Sequence, residues 1–300
     1  MKSIKIGTRK SRLAVWQAET VASEIQKLGF DTEIVPVVSQ GDKNQFKPLY
    51  SMGITGIFTK DLDIALLNKE IDVAVHSLKD VPTILPSDIF ISSVLQRDFP
   101  QDVLVRSSKA KNKPLAQLSI ATSSLRRRAF WINEFPNTDF SDIRGNVETR
   151  IGKIENGLAD ATLLSFAGIK RMNLDVEYEE VPFLLQAPAQ GVIGCASLIE
   201  NTELTEVLKK INHEETQKCV EIERGFLRHL EGGCTAPIGA KCTMKGDVVH
   251  FEGRLVNLLG NKRVDIKEEI AWRDNLGVLF AQKILENGGG EIMQEIKTQL

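Results

Sequence analysis

The sequence predicts an α/β fold closed by a smaller antiparallel part, on three observations. Short apolar runs alternate with helical stretches through most of the chain, the pattern of β–α units. A second set of such units opens near Asp102. Towards the C-terminus, runs such as 248–259 and 263–271 read as strands of an antiparallel sheet.

The elements follow in order. Residues 4–8 are strand-like, and Ser11 stands where a helix N-cap belongs. Behind it Ala14, Ala18, Val21, Ala22, Ile25 and Leu28 recur at helical spacing until Gly29 ends the run. A second strand is expected over 32–38. Residues 58–68 read as a helix with Leu62, Ala65 and Leu66 on one face. A short buried strand, 72–76, runs straight into Ser77-Leu78-Lys79-Asp80-Val81-Pro82. In the second set, strand 119–122 meets a helix opening at Ser123-Ser124-Leu125-Arg126-Arg127-Arg128. Strand-like 139–144 passes through Gly145 into helix 147–156, and strand 160–164 is followed by Ala167-Gly168-Ile169-Lys170-Arg171. Residues 182–191, with Pro188 and the pair Gln190-Gly191, read as a crossing segment. After His213 a long helix runs to Leu230, and a helical pair closes the chain.

Composition narrows the function classes. A chain of 300 residues has room for two or three domains. Hydrophobic residues at 42% and charged residues at 26% are ordinary for a globular protein. A net charge of -2 supplies no global field towards nucleic acid or anionic membrane, so an anion site must be a local cluster. The run Arg126-Arg127-Arg128 is short and has no accompanying aromatic series, which makes a nucleic-acid surface the weaker reading. No apolar run reaches membrane-spanning length, and the N-terminus lacks the apolar core of a signal peptide. The four cysteines, at 195, 219, 234 and 242, make no C-x-x-C pair, so a reducing cytoplasm with free thiols is expected and no metal motif is seen.

The chemistry-bearing residues gather where strands end and helices begin, which is where open α/β sheets bind ligands. Arg9 and Ser11 follow one strand; Ser77, Lys79 and Asp80 another; Thr122, Ser123, Ser124, Arg126 and Arg127 a third; Arg144, Asn146 and Arg150 a fourth; Arg171 lies past a fifth. Helix N-termini and planar guanidinium forks both grip carboxylates and phosphates. Any one arginine alone reads as a solvated charge; the set points to a ligand carrying many anionic groups. A carboxylate among these cations, Asp80, can bond ligand N–H groups, move a proton or stabilise a developing cation, or serve as an ordinary salt bridge or turn cap. His76 reads as a core histidine, and Cys195, Cys219 and Cys242 as core thiols. Cys234 differs: it follows Gly232-Gly233, a pair able to turn sharply and hold a thiol out on a loop, the plain alternative being a helix C-cap with an incidental cysteine after it.

Taken in order, Gly7-Thr8-Arg9-Lys10-Ser11, Gly56-Ile57-Phe58-Thr59-Lys60, Val75 to Pro82, Thr122 to Arg127, Arg144-Gly145-Asn146-Val147-Glu148-Thr149-Arg150, Ala167 to Arg171 and Glu231-Gly232-Gly233-Cys234 make the chain resemble the hydroxymethylbilane synthase family, also called porphobilinogen deaminases. The resemblance runs nearly end to end. It implies three domains: the first two periplasmic-binding-protein-like (type II) with an inter-domain cleft, and a third, small α+β domain with an antiparallel sheet. In this numbering it implies 1–96 plus 190–210 for the first, 101–186 for the second and 214–300 for the third. It implies stepwise condensation of four porphobilinogen molecules, with loss of ammonia, to a linear tetrapyrrole on a dipyrromethane cofactor held by a thioether at Cys234. Asp80 is then the catalytic carboxylate. Arg9, Ser11, Ser77, Lys79, Thr122, Ser124, Arg126, Arg127, Arg144, Asn146, Arg150, Arg171, Gln190 and Gly191 are expected to bind cofactor and substrate, with Phe58 at the lid or hinge. A monomer is implied, with no nucleic acid, membrane or metal partner. Five positions depart from the family pattern: Ser51 and Thr55 stand in the expected lid where lysines are usual, Ala121 and Ala189 replace glycines, and Pro188 also differs at the hinge.

Overall fold

A computed structural model describes residues 3–38, 59–230 and 236–299. The expected lid with Ser51, Thr55 and Phe58, and the Gly232-Gly233-Cys234 loop, lie outside the described residues. The chain divides into two compact units. Among the described residues the first takes 3–38, 59–98 and 190–218, and the second takes 99–189, 219–230 and 236–299.

The first unit begins with β1 (Ile4–Arg9), α1 (Arg12–Lys27), β2 (Thr32–Val37), α2 (Lys60–Leu67), β3 (Val73–Ser77) and β4 (Ile89–Val94). β1 pairs in parallel with both β2 and β3. Helix α1 forms because its apolar residues fall on one face: Ala18, Val21, Ala22 and Ile25 are all buried against β1 and β3. The helix α2 stripe Leu62, Ala65 and Leu66 is buried as the spacing predicts.

The second unit holds β5 (Asp102–Arg106), β6 (Ile120–Ala121), α3 (Leu125–Glu134), β7 (Phe140–Ser141), α4 (Val147–Glu155), β8 (Ala161–Ser165), α5 (Phe166–Arg171) and β9 (Glu179–Glu180). Their order in the sheet is β7-β6-β8-β5-β9, with β6 parallel to β7 and β8, and β5 antiparallel to β8 and β9. The chain then returns as β10 (Ile193–Leu198) to complete the first sheet, order β2-β1-β3-β10-β4. β10 is antiparallel to both its neighbours. Each lobe is thus the mixed α/β sheet that the resemblance implies. Strands β4 and β10 and the helix α6 (Thr202–Lys209) were not individually legible in the sequence; β4 and β10 have no single period, because they are buried partly on both faces.

Helix α7 (Glu214–His229) starts within the first unit, where His213 N–H donates to Val94 O at 2.9 Å and Arg97 N–H to Thr216 Oγ1 at 3.1 Å. In the second unit, α7 packs on the antiparallel sheet β11 (Ile238–Lys245), β12 (Val248–Val256) and β13 (Arg263–Ala271), closed by α8 (Leu276–Ile284) and α9 (Gly290–Gln299). Phe226, Phe251 and Phe280 form its centre, with ring centroids 5.1 and 4.4 Å apart. Gly277 lets α8 approach α7 closely: a side chain there would stand 2.3 Å from Ile222 O.

This third sheet docks on the second lobe within the same unit. Arg254 donates to Phe183 O at 2.7 Å and lies over the Phe130 ring, and Asn133 donates to Gly260 O at 2.8 Å. Gly239 faces Phe130 and Leu185 so closely that a Cβ would meet both at about van der Waals overlap, 2.9–3.1 Å. No helix among the described residues is long and apolar enough to cross a membrane.

His76 is the core histidine expected from the sequence, 6% exposed on β3. The β1–β3 register sets Gly7 opposite Ala74, so Arg9 falls near His76. Burial, and then the Arg9 charge, push its pKa down from 6.5 to about 4. The unfolded chain takes up this proton below pH 6.5 and the folded one only near pH 4. The stability held above pH 6.5 is therefore lost as pH falls through that window, by up to about 3 kcal/mol. Urea titrations of wild type and His76→Gln at pH 7.5 and 4.5 should show a loss of stability that is visibly smaller in the variant; equal losses would refute the assignment.

Candidate active site

In the first unit the carboxyl ends of the adjacent parallel strands β1 and β3 carry the expected residues. Thr8 donates its hydroxyl to Ala14 O at 2.8 Å, and Ser11 caps α1 by accepting from Ala14 N–H at 3.3 Å. These bonds fold the chain tightly behind Arg9, which ends β1 half-buried. Beyond β3, residues Leu78–Asp80 form one 3-10 turn. Leu78 and Val81 are buried, and Val81 N–H bonds back to Leu78 O at 3.2 Å, so the exposed Asp80 is presented on a turn pinned at both ends. Lys79 Nζ donates to Oε1 of the fully buried Gln190 at 3.1 Å. Ser77 exchanges hydrogen bonds with Gln17, a buried amide on α1 that the sequence reading passed over. Gly191 sits at φ 81, and its carbonyl accepts from Asp98 N–H at 3.1 Å.

In the second unit the ends of β6 and β7 play the same part. Thr122 is buried, and Ser124 caps α3 by accepting from Arg127 N–H at 3.4 Å. Ser123 joins the two loops through bonds with Ile143 O and N–H at 3.0 and 2.9 Å. Gly145, at φ 116, makes the turn between Arg144 and the N-cap Asn146, whose Oδ1 accepts from Thr149 N–H at 2.8 Å. Arg150 Nε donates to Gly145 O at 2.8 Å, and Lys153 Nζ to Arg144 O at 2.9 Å. Partial burial lowers the pKa of the Arg144 guanidinium, which stays charged in any case. Arg171 ends α5 and is 8% exposed.

Arg126 and Arg127 do more inside the lobe than their place in the motif suggests. Both are 7% exposed, and both reach Asp102 at the start of β5, whose side chain is fully buried. Arg126 Nη2 donates to Asp102 Oδ2 at 2.6 Å and Nη1 to Leu185 O at 2.6 Å. Arg127 gives Asp102 Oδ1 two bonds, from Nε at 3.2 Å and Nη2 at 2.7 Å, and gives Leu163 O one at 2.7 Å. A guanidinium has five N–H groups. Among the described residues Arg126 therefore retains three without an acceptor and Arg127 two.

Two further residues were missed. Asp102 looks in the sequence like an ordinary strand-edge acid. Glu223 left a signal: it falls on the apolar face of α7 between Cys219 and Phe226, and it is fully buried. Its carboxylate accepts from Ala189 N–H and Cys242 N–H, each at 2.7 Å. Ala189 itself is held at φ 60, a left-handed conformation that costs an L-residue about 1–2 kcal/mol. The thiols at 195, 219 and 242 are buried, and burial pushes Cys195 up to about 11, in keeping with core roles.

These arrangements fit a polycarboxylate cofactor by the chemistry of their donors: guanidiniums, hydroxyls and helix N-termini at strand ends of both lobes. The Asp102 pairing carries a test of its own. Asp102→Ala leaves two buried guanidiniums without their counter-ion and should cost about 3–5 kcal/mol in urea unfolding; a loss below about 1 kcal/mol would refute the described pairing.

Residues 4–206 match the family model for the porphobilinogen deaminase, dipyromethane cofactor binding domain, and 217–286 that for the porphobilinogen deaminase C-terminal domain. The chain is 38% identical to porphobilinogen deaminase of Chloroherpeton thalassium, over 99% of this chain and 98% of that protein. It is 37% identical to that of Desulfitobacterium hafniense, over 100% and 99%. Among solved structures, the Bordetella pertussis BvgS periplasmic VFT2 domain aligns with 70% of this chain and 86% of its own length, at 15% identity and a TM-score of 0.40. The two family models and the near full-length identity place one conclusion beyond the geometry: the chain belongs to the porphobilinogen deaminase family.

Proposed function

We propose that this chain is a hydroxymethylbilane synthase in which Asp80 and an arginine-rich rim work on porphobilinogen while Cys234 tethers the dipyrromethane primer. Family membership carries the reaction: head-to-tail condensation of four porphobilinogen molecules with release of ammonia, a transferase step of tetrapyrrole and heme (porphyrin) biosynthesis. The observation that carries the roles is the presentation of exposed Asp80 on a pinned turn at a strand edge shared with Arg9.

Porphobilinogen bears an acetate and a propionate, so every added ring brings two carboxylates. Arg9 and Arg144 suit the incoming unit. Arg126, Arg127, Arg150 and Arg171 suit ring carboxylates already in place, the first two through the N–H groups that Asp102 leaves over. Ser11, Ser77, Lys79, Thr122, Ser124, Asn146, Gln190 and Gly191 assist as donors or by shaping the turns. When ammonia leaves the aminomethyl group of porphobilinogen, positive charge spreads to the pyrrole nitrogen. The Asp80 carboxylate stabilises that cation and can take up a proton. Bound dipyrromethane supplies the ring end to which units are added. The protein's share is positioning and electrostatics.

A cytoplasmic monomer fits the three buried thiols and the small net charge, with no call on nucleic acid or membrane. Intact mass of the purified protein should exceed the chain mass by a two-ring adduct, absent from Cys234→Ser; an unmodified wild type would overturn the tether. Asp80→Asn should keep adduct and fold while kcat falls about 100-fold or more, and near-normal turnover would remove Asp80 from its role. Arg144→Ala should raise KM for porphobilinogen about 10-fold or more; unchanged KM and kcat would exclude it from the rim.

A further inference from the structure

We infer that Glu223 is a positioning residue for the reaction, acting by holding the left-handed turn at Ala189 in register with the two elements that flank the segment 231–235. This rests on the reading of Cys234 and Asp80 given above.

Glu223 is fully buried on α7, a place on an apolar face where a leucine would pack at lower cost. Its two oxygens divide their acceptance. Oε2 takes Ala189 N–H and Oε1 takes Cys242 N–H on β11, both at 2.7 Å, the length of charge-assisted bonds. One carboxylate thus joins three pieces of chain: the crossing segment, the helix before residues 231–235 and the strand after them.

The crossing segment needs such a restraint. Ala189 is fully buried at φ 60, a conformation that an alanine leaves readily when nothing holds it. The next residue, Gln190, is the acceptor for Lys79 Nζ, and Lys79 is the neighbour of Asp80. A shift at Ala189 therefore reaches the turn that presents Asp80 through one peptide and one hydrogen bond. On the other side, a shift of α7 against β11 moves both ends of the segment that carries Cys234. Small misplacements of reacting groups slow reactions strongly while leaving ground-state binding largely intact.

Glu223→Gln tests this, since a carboxamide can accept only one of the two N–H bonds and sets its own NH2 against the other. Wild type, Glu223→Gln, Glu223→Asp and the double variant Glu223→Gln/Ala189→Gly are compared by intact mass, by kcat and KM for porphobilinogen per adduct-bearing molecule, and by thermal midpoint. The expected result for Glu223→Gln is adduct retained, KM within about two-fold and kcat down about ten-fold or more. Glycine adopts φ 60 unaided, so the double variant should recover about half of the lost kcat on a logarithmic scale. If Glu223→Gln does not fold, Glu223→Asp, which keeps the charge on a shorter stem, should show the same selective fall in kcat. A kcat within two-fold of wild type in the folded variant, or no recovery in the double variant, overturns the proposal even if the midpoint drops. Adduct missing from wild type overturns the tether reading and this one together; adduct present with normal kcat in Glu223→Gln overturns this one alone.

Discussion

Two guanidiniums lie side by side inside the second lobe because the carboxylate of Asp102 lies between them. Without it, Arg126 and Arg127 would repel one another in a setting where burial already disfavours the Arg126 charge. With it, the first turn of α3 can begin Ser124-Leu125-Arg126-Arg127 and still pack on β5 and β8. The pair plus Asp102 carries one net positive charge, and among the described residues the N–H groups not spent on Asp102, Leu163 or Leu185 have no acceptor. The cationic character of this edge is therefore a balance set by an acid, which also fixes the orientation of both guanidiniums.

The same economy recurs around the strand ends. Ser11, Ser124 and Asn146 each satisfy a helix N-terminus, and these helix starts are the places where polar N–H groups face outward next to arginines. Into the edge of the first lobe is set a carboxylate on a turn whose flanking side chains are buried. In the mechanism proposed above, anion-binding groups would gather the substrate's carboxylates, while Asp80 would answer the opposite charge that arises only as ammonia leaves. The two tasks demand opposite signs close together, and rigid turns keep such groups from neutralising one another through side-chain motion.

The third sheet contributes by its attachment. Arg254 over Phe130, Asn133 on Gly260 and the bare backbone at Gly239 bind it to α3 and the crossing segment, and Gly277 lets α8 lie close on α7. The helix leading to residue 231 and the strand following residue 235 are thereby fixed in one compact unit with the arginine-bearing second lobe. Glu223 belongs to this framework: it is a fully buried charged residue on a largely apolar helix face.

Much of this was legible in the sequence. Helical periodicity located α1, α2 and α7; turn and cap residues marked the starts of α3 and α4; the run 263–271 coincides with β13. The strand-end clustering of arginines and hydroxyls, the place of Asp80 among them and the core status of His76 followed from residue type and position, because local pattern decides secondary structure and motif order carries family membership. What the sequence could not reveal is which buried charges meet. Asp102 lies 24 and 25 residues from the arginines it holds, and Glu223 lies 34 residues from Ala189. The strands β4 and β10, without a clean period, acquire their places only in the folded sheet, where β10 pairs with both β3 and β4. Local propensity acts over a few neighbouring residues, whereas the pairing of buried charges and the register of returning strands are settled by packing, which exists only once the chain has folded.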